Sequence, residues 1–299
     1  MRRYDEQSEA TMPGITTSDG VRLTYLESGD AAGRPVMLIA GFKAAATSWR
    51  PQLAALEKAG HRVIAFNRRG HGDSEVGPDG SHTMDRHGAD VGDAIRELGL
   101  EDVTLIGQSM GGNSIWALLS NGGAAGIRDI VIVDQTPKML NSDDWAYGFY
   151  DYDSSNVDTF FATGIPDPAR HPLVSKGPVR IGRLLKAMDL KAAKAGFTSA
   201  ELELLGDHAR RDWRPAIAAT QVPVLFVAGR ESEFWPCEHA AAAASLAPRG
   251  TSAVIRKAGH ATNLEQPKAF NDGVLAWLSA PPLVEEAGEG RRFQSPSSE

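Results

Sequence analysis

Residues 102–112 read DVTLIGQSMGG. The run from Asp102 to Ile106 is mostly apolar and rich in β-branched side chains, the form of a strand buried on both faces. From Ser109 to Ser120 the apolar spacing turns helical. Between them, Gly107-Gln108-Ser109-Met110-Gly111 is G-x-S-x-G set between strand and helix. The glycines supply room, because a side chain at either flank of so tight a turn collides with the strand or the helix. The turn lifts the Ser109 hydroxyl out of the sheet. It also sets Ser109 at a helix N-terminus, where the dipole favours developing negative charge. Ser109 is the candidate nucleophile.

The same alternation continues in both directions. Upstream, Val21–Ser28 alternates like a half-buried strand, and Pro35–Ala40 (PVMLIA) and Arg62–Phe66 (RVIAF) are continuous apolar runs. Downstream, Asp129–Val133 (DIVIV), Pro223–Ala228 (PVLFVA) and Ala253–Arg256 (AVIR) complete the strands. Helical spacing falls at Ser48–Ala59, Met84–Leu100, Glu238–Leu246 and Pro267–Leu278. Strands alternating with helices imply right-handed crossovers, and so an α/β fold. The expectation is a mostly parallel central sheet of about eight strands with helices on both faces.

The rhythm breaks between Pro137 and Arg214. That stretch holds helical fragments at Val179–Leu190 and Ser199–Arg210, and aromatic residues crowd its start. It reads as an inserted helical lid, residues 138–211, over the carboxyl ends of the strands, where ligands bind in such sheets. The core is then residues 14–137 and 212–280. Residues 1–13 are polar and pattern-free, which predicts a flexible arm. Residues 281–299 have few apolar side chains to offset their ordering entropy, which predicts a disordered tail.

Composition narrows the function. The chain of 299 residues is 42% hydrophobic and 23% charged, which fits one large domain with a packed core and an insertion. A net charge of −7 and the lack of a basic run disfavour nucleic-acid binding. No run of about 18 apolar residues is present to span a membrane, and the N-terminus has no secretory pattern. The single cysteine, Cys237, fits a reducing compartment. The expectation is a cytoplasmic monomer or homodimer acting on a small molecule.

A serine hydroxyl needs an adjacent base. Of the eight histidines, His260 stands in Lys257-Ala258-Gly259-His260-Ala261-Thr262, directly after the last expected strand. His71 belongs to a turn-forming loop, where packing or hydrogen bonding suits it better than reaction. His61, His82, His87, His171, His208 and His239 lie in polar company and are expected on the surface. No pair has zinc spacing, and neither a G-x-G-x-x-G turn after the first strand nor a P-loop is present, so no metal or cofactor is expected.

Two places compete for the acid that orients the base. Asp134 ends the apolar strand DIVIV, where an unpaired charge is costly and a histidine would pair it. Its competing role is to cap a turn with Thr136. The loop after PVLFVA carries Glu231 and Glu233 around Ser232. Asp134 is preferred, with Glu231 and Glu233 in reserve. Backbone N–H groups of Met110, after the nucleophile, and Phe42, in Gly41-Phe42-Lys43 after PVMLIA, are the candidate oxyanion donors. Trp145, Phe149 and Trp235 are candidate pocket walls, with Tyr147, Tyr150, Phe160 and Phe161 nearby in sequence. Lys43 beside the oxyanion loop is a solvated lysine or a contact for an acidic substrate.

From about Gly14 to Ala280 the chain resembles the α/β-hydrolase superfamily. The resemblance rests on Leu38–Phe42, Asn67–Ser74 (NRRGHGDS), Gly107–Gly112, Pro223–Gly229, and Ala258-Gly259-His260 with Glu265-Gln266-Pro267. It points to the esterase, lactonase and haloperoxidase-like branch. Where such proteins often carry a late Asp, this chain has Ser232, which resembles members whose acid follows the sixth strand. Ala40-Gly41 replaces the usual His-Gly, and Asn67 the usual Asp; both put loop geometry in question, not the reacting groups. The resemblance implies hydrolysis of a carboxylic ester, lactone or thioester through an acyl-enzyme. Acyl transfer, perhydrolysis, C–C hydrolysis, lyase chemistry and a non-catalytic ligand receptor on the same scaffold remain alternatives.

Overall fold

The computed structural model describes residues 12–187 and 196–280. The expected tail at 281–299 and nearly all of the expected arm lie outside them. Pro13, assigned to the arm, is instead tied to the sheet edge, its carbonyl accepting from Tyr25 N–H at 3.0 Å.

Eight strands form one sheet: β1 (Gly14–Thr16), β2 (Arg22–Ser28), β3 (Pro35–Ile39), β4 (Arg62–Phe66), β5 (Val103–Gln108), β6 (Ile127–Val133), β7 (Val224–Gly229) and β8 (Gly250–Ile255). Their spatial order is β1-β2-β4-β3-β5-β6-β7-β8. The first two pairings are antiparallel and all the others parallel. Two differences from the sequence reading have simple causes. The three-residue β1 is too short to show a period. β8 begins at Gly250, paired with Val224, because its first residues Gly250-Thr251-Ser252 have no large apolar side chain to mark them.

The continuous apolar strands are buried on both sides. Met37 and Ile39 of β3 join one hydrophobic cluster, Val36 and Leu38 the other. This is the two-residue alternation of a sheet covered on both faces. On the first face pack α2 (Met84–Glu97) and α3 (Met110–Ser120), through Val91, Ala94, Ile115 and Trp116. On the second pack α1 (Arg50–Lys58) and the last helix (Pro267–Ser279), through Leu56, Phe270, Val274 and Trp277. The expected helix at Ser48–Ala59 is a 3-10 turn at Ala46–Trp49 followed by α1, because Pro51 suits a helix start and not an interior.

Between β6 and β7 lie a 3-10 turn (Leu173–Lys176) and the helices α4 (Gly177–Ala187), α5 (Ser199–Arg210) and α6 (Arg214–Ala219). α5 starts with a full capping box, Thr198 accepting from Glu201 N–H and Glu201 from Thr198 N–H. The expected end of the helix at Val179–Leu190, residues 188–190, lies outside the described residues. Among those described, no helix is long and apolar enough to cross a membrane.

Candidate active site

The loops after β3, β5, β6 and β8 all leave the sheet at its carboxyl edge, and they carry Phe42, Ser109, Asp134 and His260. Ser109 takes φ 53° and ψ −132°, a conformation that side-chain-bearing residues rarely adopt. Surrounding structure enforces it: Ser109 N–H donates to Val133 O at 2.9 Å, and Ser109 O accepts from Gly112 N–H at 2.8 Å. At Gly107 a Cβ would stand 2.5 Å from Gly112 N, so the strand can pass this close to the helix only as glycine. At Gly41 a Cβ would meet Gln108 Oε1 at 2.3 Å and Ser109 Cβ at 3.1 Å. Glycine there lets the Gly41-Phe42 loop press against the serine turn.

Asp134 is fully buried and also has positive φ, 45°. Its Oδ2 accepts from His260 Nδ1 at 2.8 Å and from Ser232 Oγ at 2.6 Å, and its Oδ1 from Gly229 N–H at 2.8 Å. His239, also fully buried, sets Nε2 3.8 Å from Oδ1, beyond hydrogen-bond length. Ser232, between the two reserve acids, therefore donates to the Asp134 carboxylate. Burial pushes the Asp134 carboxyl up, but the two imidazoles outweigh it and hold it at about 2. A depressed carboxyl contributes stability above its unfolded value near 4, lost as pH falls through about 2. The stability gap between native protein and Asp134→Asn, read by denaturant unfolding, should therefore shrink as pH drops from about 4 towards 2; a constant gap would refute the linkage.

The reserve acids lie elsewhere. Glu231 pairs with Arg180 at 2.6 Å. Glu233 accepts the backbone N–H of His260 at 2.7 Å and pairs with Lys176, so it touches the residue but not its ring. Both cations converge on Glu265, 1% exposed, with Lys176 at 2.9 Å. This cluster ties the 3-10 turn and α4 to the loop that carries His260. Glu265→Gln leaves two buried cations short of an anion. Lys176 keeps Glu233 and Arg180 keeps Glu231, so the cost should be about 1–3 kcal/mol, seen as a lower urea midpoint; a change under about 0.5 kcal/mol would refute the cluster's role.

Gln108 Nε2 stands 3.4 Å from His260 Nε2 and donates to His260 O at 3.2 Å. Among the described residues the Ser109 hydroxyl has no hydrogen-bond partner. Such contacts are often loose without substrate. Met110 opens α3, so its N–H belongs to the first turn, which has no carbonyl partner inside the helix. Met110 and Phe42 line one small cavity with Ser109, of about 30 Å³.

Phe149 and Trp235 also line that cavity, joined by Phe161 and Phe234. Trp145 does not: its indole donates to Thr136 Oγ1 at 3.2 Å and its ring meets Arg214, so it fastens the chain after β6. Tyr147 meets Trp145 edge to face, Phe160 lies tilted against Tyr152, and Tyr150 lies under Arg170. Lys43 pairs with Glu201 at 3.2 Å and lies over Phe197. Its ammonium is thus held between a carboxylate and a ring, with 19% of the side chain exposed.

The expectation of surface histidines fails for five of the six. His61, His82, His87, His208 and His239 are buried, and His171 alone is exposed. An imidazole is apolar enough to pack once its nitrogens are paired or neutral. His71 and His87 show how. Buried Arg68 donates to Ala40 O at 2.8 Å, to His71 Nε2 at 3.0 Å and to His87 Nδ1 at 3.1 Å. Burial and the Arg68 charge hold both imidazoles well below the usual range, so they are neutral acceptors. Arg68 thereby grips the loop that presents Phe42. Asn67 does what Asp cannot: its amide accepts from Ala46 N–H at 2.6 Å and donates to Thr24 Oγ1 at 2.9 Å.

A family model described as the alpha/beta hydrolase fold matches residues 34–267. The chain is 37% identical over 130 residues to a non-heme haloperoxidase of Rhodococcus erythropolis, covering 43% of this chain and 46% of that protein. That alignment spans about half the relative's length. With a non-heme chloroperoxidase of Streptomyces lividans it shares 26% identity over 279 residues, 90% of this chain and 100% of the relative. An esterase structure from Exiguobacterium antarcticum superposes with a TM-score of 0.73 at 21% identity, over 90% of this chain and 100% of the other. At that identity the likeness shows the fold.

Proposed function

The chain belongs to the alpha/beta hydrolase fold family, and from that premise we propose that it is a serine hydrolase of small carboxylic esters, lactones or thioesters. The observation that carries this reading is the 2.8 Å bond from His260 Nδ1 to buried Asp134, at the same sheet edge as the strained Ser109 turn. Asp134 fixes the imidazole with its proton on Nδ1 and leaves Nε2 as the base. Ser109 Oγ attacks the carbonyl carbon while His260 Nε2 takes its proton. The oxyanion forms between the Phe42 and Met110 N–H groups. Collapse expels the alcohol or thiol, which takes the proton from His260. Water then attacks the acyl-enzyme with His260 again as base and frees Ser109. The Gln108 amide beside Nε2 yields that position to the serine. Residues 138–211 serve as the lid, and the setting is cytoplasmic, as one buried cysteine suits.

The haloperoxidase and chloroperoxidase relatives favour a second acceptor for the same acyl-enzyme. Hydrogen peroxide in place of water releases a peroxy acid, with His260 accepting its proton.

The test is pre-steady-state hydrolysis of p-nitrophenyl acetate, butyrate and hexanoate. The expected result is turnover with a burst of p-nitrophenol, and an acyl-enzyme visible in the intact mass. Absence of turnover and of acyl-enzyme on every ester, lactone and thioester tried would refute the reading.

A further inference from the structure

The cavity beside Ser109 is lined by hydrocarbon, thioether and indole, with two exceptions, Ser109 itself and His208. His208 comes from α5, whose buried face is otherwise Leu204, Leu205 and Ala209. A leucine would suit that face and pack at no polar cost. The imidazole instead is 4% exposed, and its Nδ1 is buried with no hydrogen-bond partner among the described residues. A buried polar atom left unpaired costs stability, and a partner from outside the chain would remove that cost. His208 is not a second base: among the described residues no carboxylate bonds its ring to stabilise an imidazolium, as Asp134 does for His260. Burial, then the Arg68 charge, hold it at about 3. It is therefore a neutral ring with one donor and one acceptor.

We propose that His208 is a specificity-determining residue of this cavity, hydrogen-bonding a hydroxyl or carbonyl oxygen that the substrate carries a few atoms from its reacting ester. The assignment rests on the serine-hydrolase reading. It narrows the substrate class from plain acyl esters to oxygenated ones. A pocket that pairs a substrate oxygen discriminates strongly against the analogue lacking it, because its own polar group is then stranded.

The test uses matched pairs of p-nitrophenyl esters and of alkyl phosphonate probes. Each pair differs by one hydroxyl or keto oxygen, walked along the acyl chain and, in a second series, along the alcohol. For the native protein, kcat/KM or the rate of Ser109 labelling should favour the oxygenated member of at least one pair by about 10- to 100-fold. His208→Leu should bring that ratio close to one, and His208→Gln, which keeps a donor and an acceptor, should retain part of it. A ratio near one throughout the native series, or one unchanged in His208→Leu, overturns the proposal and leaves a packing histidine. If no ester turns over and no probe modifies Ser109, the serine-hydrolase reading falls and takes this assignment with it.

Discussion

Ser109→Ala is expected to abolish ester hydrolysis, with kcat down roughly ten-thousandfold to a millionfold. The turn holds this residue at φ 53° whatever its side chain, so alanine should keep the fold and remove only the nucleophile. The oxyanion donors are backbone groups and survive the change. Circular dichroism and the unfolding midpoint should therefore match the native protein while turnover disappears. Hydrolysis within tenfold of native would mean that another group attacks.

Asp134→Asn is expected to lower kcat by on the order of ten-thousandfold. Its amide oxygen can still accept from Gly229 N–H, so the loop should hold. Its NH2 would face His260 Nδ1 and demand the tautomer with the proton on Nε2. That nitrogen could then no longer accept from Ser109. The paired control is Glu231→Gln, which loses only its bond to Arg180 and should keep most activity. The opposite pattern, full activity in Asp134→Asn and loss in Glu231→Gln, would move the acid to the loop after β7.

Much of this architecture is legible in local patterns. DVTLIGQSMGG and PVMLIA announce buried strands because each lies between two helical layers, and the serine turn needs its glycines for contacts within a few residues. Asp134 is readable for a related reason: a carboxylate ending an apolar strand demands a partner. The cavity walls are less legible. Trp145 and Phe149 are four residues apart in one aromatic-rich stretch, yet one fastens the chain after β6 and the other lines the cavity beside Ser109. That choice is made by what packs opposite each ring.

The histidines show the same limit. Nothing around His87 signals that a buried Arg68 will approach it, and the pairing takes shape only when α2 docks beside the loop after β4. His208 had one usable signal, its spacing of three and four from Leu205 and Leu204 on an amphipathic helix. That spacing marks it as inward-facing but says nothing of the cavity. The cluster of Lys176, Arg180 and Glu265 joins residues more than eighty positions apart, so no sequence window contains it.

The most direct test of the central claim is labelling with a fluorophosphonate, followed by intact mass and peptide mapping. A single adduct is expected, on Ser109, formed far more slowly in His260→Ala and not at all in Ser109→Ala. A folded native protein that takes up no label, or carries it on another residue, would contradict it.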